Sequence, residues 1–136
     1  MADDTSEDRT DDEFLAALED GSLPPAAFDH RAHVRAGYLY LTRHGLGGAI
    51  ERFATSLKAF AARHGKAGLY HETITVAFLA LINERIAAGA ATDWEGFIDG
   101  NADLLDRQAL QRFYAPQELF SAEARRVFRL PRGRAA

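Results

Sequence analysis

The segment from Val76 to Ile86 sets the terms for the rest of the chain. Its opening run, Val76-Ala77-Phe78-Leu79-Ala80-Leu81-Ile82, has no polar stripe at any helical register, so a helix built from it must be covered on most sides. Directly upstream, Leu69-Tyr70-His71-Glu72-Thr73-Ile74-Thr75 supplies a histidine, a glutamate and two threonines. A central helix that is polar only over its first turn and a half predicts a pocket at that end. The pattern names no reaction; it says where chemistry would sit.

The surrounding chain reads as helices that cover this one. Asp11 and Asp12 precede Phe14, Leu15 and Leu18, a short amphipathic helix with acids at its favourable end, closed by Gly21-Ser22. Pro24-Pro25 imposes an extended link. Asp29 is placed to cap a second helix that runs through Val34, Leu39 and Leu41 to Arg43-His44-Gly45. Ile50, Phe53, Ala54, Leu57, Phe60 and Ala61 then mark the buried stripe of a third, which finishes in Arg63-His64-Gly65. After the central helix, expected to end near Gly89, come a short turn at Trp94–Ile98, a helix over 102–114 and a last one capped by Ser121 and stopped by Pro131. No stretch alternates with a period of two for long. The expected fold is therefore all-α, a compact single-domain bundle of four main helices plus short C-terminal helices over 11–131, with a disordered acidic arm at 1–10 and a flexible tail at 132–136.

With 136 residues, 47% of them hydrophobic, one domain has enough material for a sizeable core. The absence of cysteine excludes disulfides, thiolate metal sites and cysteine nucleophiles. The acidic N-terminus lacks the apolar stretch of a signal peptide and the apolar runs are too short to span a bilayer, so a cytoplasmic protein with no membrane partner is expected. The net charge of −4 is unevenly spread: seven acids against Arg9 in residues 1–13 make −6, which leaves +2 for the remainder. Five arginines between Arg125 and Arg134 lack interleaved aromatics or repeated basic motifs, so a solvated basic end is favoured over a nucleic-acid site.

The five histidines divide into two groups. His44 and His64 each lie between an arginine and a glycine at an expected helix C-terminus, where a cation complements the dipole and glycine closes the helix. His30, His33 and His71 have no such role. His30 and His33 share a face in the first turns of the second helix, and His71 opens the central one. A helix N-terminus disfavours imidazolium, so all three are expected to be neutral, the form that binds a metal or accepts a proton. Short connections predict antiparallel neighbours, which makes the second and central helices parallel and gathers the three rings in one layer. Asp29, Tyr70, Glu72, Thr73 and Thr75 belong to that layer, with Gly37 and Tyr38 one to two turns below His33.

Three imidazoles with an optional carboxylate suit zinc, iron, nickel or copper. The expected site therefore has His30, His33 and His71 as metal ligands, Tyr70, Thr73, Thr75 and Tyr38 as ligand-binding groups, and, if it is catalytic, Glu72 as proton carrier. His71-Glu72-Thr73-Ile74-Thr75 is not the zinc-protease pattern, because Thr75 stands where the second histidine belongs. Two other readings compete: a metal-free module for an anionic small molecule, and a structural or interaction protein whose histidines satisfy buried backbone groups. Ser22, Ser56 and Ser121 lack a nucleophile elbow, and glycines 45, 47 and 48 lack the lysine of a phosphate loop.

Phe28-x-His30-x-x-His33 and Tyr70-His71-x-Thr73-Ile74-Thr75, with Asn101-x-Asp103-Leu104-Leu105 and Phe113-Tyr114-x-Pro116, resemble a family of small bacterial hypothetical proteins. Its members share an F-x-H-x-x-H segment and a later Y-H-x-T-[IL]-T segment. The resemblance spans roughly residues 25–131 and leaves the acidic arm outside. No activity attaches to that family, so it implies a bacterial source and recurring motifs around His30, His33 and His71, and no mechanism.

Overall fold

A computed structural model describes residues 6–132. The first five residues of the expected arm and the last four of the expected tail lie outside the described residues. What is described is helical, with no strand among the described residues, so the all-α class holds. The helices are α1 (Asp11–Asp20), α2 (His30–Arg63), α3 (Glu72–Ala88), α4 (Trp94–Gly100), α5 (Pro116–Leu119) and α6 (Ala122–Arg126), joined by short 3-10 turns. None of the described helices is long and apolar enough to cross a membrane.

Where a disordered arm was expected, Glu7 and Arg9 are tied to the body by hydrogen bonds. Glu7 accepts a hydrogen bond from Arg31 at 3.1 Å, and the buried Arg35 guanidinium donates to the Arg9 carbonyl and to Asp11 at 2.9 and 2.8 Å. α1 then starts on a reciprocal cap in which Thr10 and Glu13 each accept from the other's backbone N–H. Gly21 closes it at φ 80°, a conformation that glycine adopts at little cost.

The expected second and third helices are the two arms of α2, broken at Gly45. There φ is 72° and ψ is 178°, a combination open essentially to glycine alone, and the chain folds back on itself. Phe28 meets Phe60 edge-on at 5.1 Å, and Tyr40 hydrogen-bonds Ser56 at 3.0 Å, so the arms run antiparallel. The first arm also lies along α3. A Cβ built on Gly37 would stand 3.1 Å from Ile82 Cδ1 and 3.2 Å from Leu79 Cδ2, and His30 meets Phe78 at 5.4 Å. Numbers rise together along the two helices, which makes them parallel. The bare backbone at Gly37 is what allows so close an approach.

α3 is covered as its composition requires: no residue from His71 to Asn83 is exposed. Burial of Phe78, Leu79, Leu81 and Ile82 contributes about 1.5–3 kcal/mol each, more than the exposed Arg85–Asp103 ion pair can supply. The helix expected over 102–114 is instead two 3-10 turns, Ala102–Leu105 and Ala109–Arg112. Asp106 breaks it, since its carboxylate accepts from the Gln108 N–H at 2.8 Å and its backbone is extended. Asp103 receives both Arg85 and Arg112 across that break.

The C-terminal segment is clamped to the start of α3. Thr73, fully buried, donates to the Val127 carbonyl and accepts from the Arg129 N–H, both at 3.0 Å, while Tyr114 donates to the Arg129 carbonyl at 2.6 Å.

Candidate ligand-binding cavity

Two parallel helix starts and the end of the antiparallel arm between them enclose a half-open cavity of about 370 Å³. Phe53, Leu57, Phe60 and Ala61 wall it from the second arm of α2; Ile74, Phe78 and Ile82 wall it from α3. The polar groups among these apolar surfaces are His30, His33, His64, His71, Tyr70 and Thr75, with Lys66 nearby in the connecting loop.

Asp29 caps α2 by accepting from the Ala32 N–H at 2.9 Å, which sets His30 and His33 in the first turn. His30 Nε2 lies 3.0 Å from the Leu104 carbonyl. A carbonyl only accepts, so that nitrogen carries the proton. His33 stacks flat on Phe28, with ring centroids 4.0 Å apart and planes 20° apart. Among the described residues, neither of its ring nitrogens has a hydrogen-bond partner. Part of the ring stays open, but it opens into the cavity, and poor hydration there is the main reason its pKa falls to about 4; His30 and Arg107 also oppose the charge, and Asp29 favours it.

His71 does two jobs at once. Its Nδ1 accepts from the Ile74 N–H at 3.1 Å as the cap of α3, and its Nε2 donates to the Leu119 carbonyl at 2.8 Å. Burial lowers its pKa, in keeping with a neutral ring. Both nitrogens are thereby committed, one by its lone pair and one by its proton, and neither can ligate a metal without breaking the start of α3. Among the described residues no set of three or more histidine, cysteine, aspartate or glutamate side chains is placed to hold a metal ion. The metal centre expected at His30, His33 and His71, for zinc, iron, nickel or copper, thus finds no support among the described residues: the three rings line one cavity, but two of them are turned to backbone carbonyls.

The remaining expected site residues separate. Tyr70 lines the cavity and donates to Glu72 at 2.6 Å; burial and that bond raise its pKa far above the phenol range. Glu72, expected as the proton carrier, is held by this tyrosine and does not line the cavity. Thr75 lines it, with its hydroxyl donating to the His71 carbonyl at 2.8 Å. Thr73 belongs to the C-terminal clamp instead. Tyr38 lines a second cavity of about 320 Å³ beside Phe97, its ring 4.7 Å away.

Besides Lys66, the sequence reading missed one polar residue of the cavity, His64. Its ring stands 4.5 Å from that of Phe60, and its Nε2 is buried without a partner. The signal was present: His64 follows Phe60 by four and Ala61 by three, which continues the apolar stripe of that arm. The helix-end glycine at 65 offered a sufficient explanation and concealed it.

No family model matches this chain, and no curated protein or solved structure shows significant similarity to it.

Proposed function

We propose that this protein is a small-molecule binding module whose cavity between the starts of α2 and α3 takes one compact, largely apolar organic molecule and orients it through imidazole hydrogen bonds. A volume of about 370 Å³ falls at the small end of ligand pockets. The observation that carries the reading is His33. His30 and His71 bond to backbone carbonyls, as purely structural histidines do. His33 is pinned against Phe28, has no partner at either nitrogen among the described residues and opens into the cavity. A polar group left unmatched amid apolar walls costs free energy unless water or a ligand meets it, and it gives a bound molecule one orientation.

Filling the cavity tests this. Ala61 lies on its wall within a helix, so Ala61→Phe adds a ring to the space while keeping the backbone. Titration with 1-octanol, followed by amide shifts and calorimetry, is expected to show saturable binding to the native chain centred on α2 and α3, and at least tenfold weaker binding to a folded Ala61→Phe. Equal binding by both proteins would move the site elsewhere.

A further inference from the structure

The charge of the cavity is out of keeping with that of the chain. The protein has 20 acidic residues and a net charge of −4, yet none of the described residues lining this cavity is an aspartate or glutamate. Its titratable wall consists of four imidazoles, one tyrosine and Lys66. Asp29 caps α2 through the Ala32 N–H and Glu72 accepts from Tyr70, and neither carboxylate lines the cavity. An amine or guanidine ligand would meet no carboxylate on the wall itself. A ligand bearing acceptors would meet His33, neither of whose ring nitrogens has a partner among the described residues.

Resting on the binding reading above, we infer that the occupant of this cavity is a compact apolar carboxylic acid, bound together with one proton that it shares with the His33 imidazole. The walls argue for a carboxylate over a phosphate. A phosphate dianion offers more acceptors and charge than one lysine and a few imidazoles set among phenylalanines can match. The proton follows from balance. The titratable groups around His33 are His30 and Asp29 on its own helix, Arg107 in the turn region, His64 at the end of the second arm, Lys66 and Tyr70 in the connecting loop, and His71 at the start of α3. Burial, His30 and Arg107 keep the ring neutral, with a pKa of about 4. A carboxylate placed against it supplies the countercharge that the walls lack, so the ring takes a proton from solvent as the anion enters. Entry of the neutral acid gives the same net uptake, with no bond made or broken apart from that proton transfer.

The experiment compares 1-octanol, octanamide and octanoate on the full chain by calorimetry, in phosphate and in Tris buffers, from pH 6 to pH 8. Octanoate is expected to bind at least tenfold tighter than octanamide at pH 6. Its observed enthalpy should differ between the buffers by about one proton's worth of buffer ionisation, and its affinity should fall roughly tenfold per pH unit. His33→Gln, which keeps a hydrogen-bonding group but cannot titrate, is expected to lose the preference for octanoate over octanamide and to show no proton uptake with octanoate. Octanol binding with no preference for octanoate, or octanoate binding with no buffer dependence, overturns the acid-plus-proton inference and leaves the binding module standing. Failure of all three to bind removes both.

Discussion

At the scale of single residues, the same side chain type serves three purposes, and its hydrogen bonds distinguish them. His71 is a helix cap and a tie to Leu119, His30 is a tie to Leu104, and His33 is matched by nothing described in the protein. All three were singled out at helix starts, and burial favours the neutral ring at His33 and His71, but residue type and spacing are blind to where a ring nitrogen points. A pH prediction follows for His33. Its folded pKa, about 4, lies below the ordinary histidine value of 6.5, so the unfolded chain binds the proton more readily between those values. Its contribution is therefore complete above pH 6.5 and is lost as pH falls towards 4, by on the order of 3 kcal/mol. Urea unfolding at pH 7.5 and pH 4.5 is expected to show that loss in the native chain and a much smaller one in His33→Phe, which keeps the stacking on Phe28. An equal loss in both proteins would assign the acid sensitivity to other groups.

At the scale of elements, local chemistry was legible wherever a helix end is made by adjacent residues. Asp29 and Ser121 each cap the helix expected of them. The stretch 102–114 was misread because its apolar spacing suits a helix, while Asp106 bonds its own backbone and the Asp103 carboxylate is drawn to Arg85 and Arg112. Gly45 is the element on which the cavity depends, since it turns the second arm of α2 back against the first. Gly45→Ala is expected to cost about 1–3 kcal/mol although open space surrounds the position, because the strain lies in the backbone. Gly47→Ala, also in open space but within the helix, should be neutral or stabilising by up to about 1 kcal/mol. Thermal unfolding of the two variants separates backbone strain at the hinge from a general intolerance of the segment.

At the scale of the whole molecule, the start of α3 is built jointly by residues far apart in the chain. Thr73 holds Val127 and Arg129 across 54 and 56 positions. Thr75 only reinforces the His71 carbonyl, which its own N–H already engages at 3.0 Å. Thr73→Val is therefore expected to cost about 1–3 kcal/mol and Thr75→Val less than about 1 kcal/mol, measured by urea unfolding. Reversal of that order would mean that the C-terminal clamp contributes little. The sequence by itself determined that the chain is helical, that the run behind Thr75 is its covered centre, and that two helices start on the same side with histidines in their first turns. Those conclusions need only periodicity, capping chemistry and short connections, which act between neighbours. Which imidazole faces a carbonyl and which faces the cavity, that His64 joins them while Tyr38 and Thr73 do not, and that no acid lines the wall were decided only by the tertiary structure. Each depends on what distant segments, above all Leu104 and residues 119–129, bring against the helix starts, and such partners are set by packing and leave no mark in local spacing.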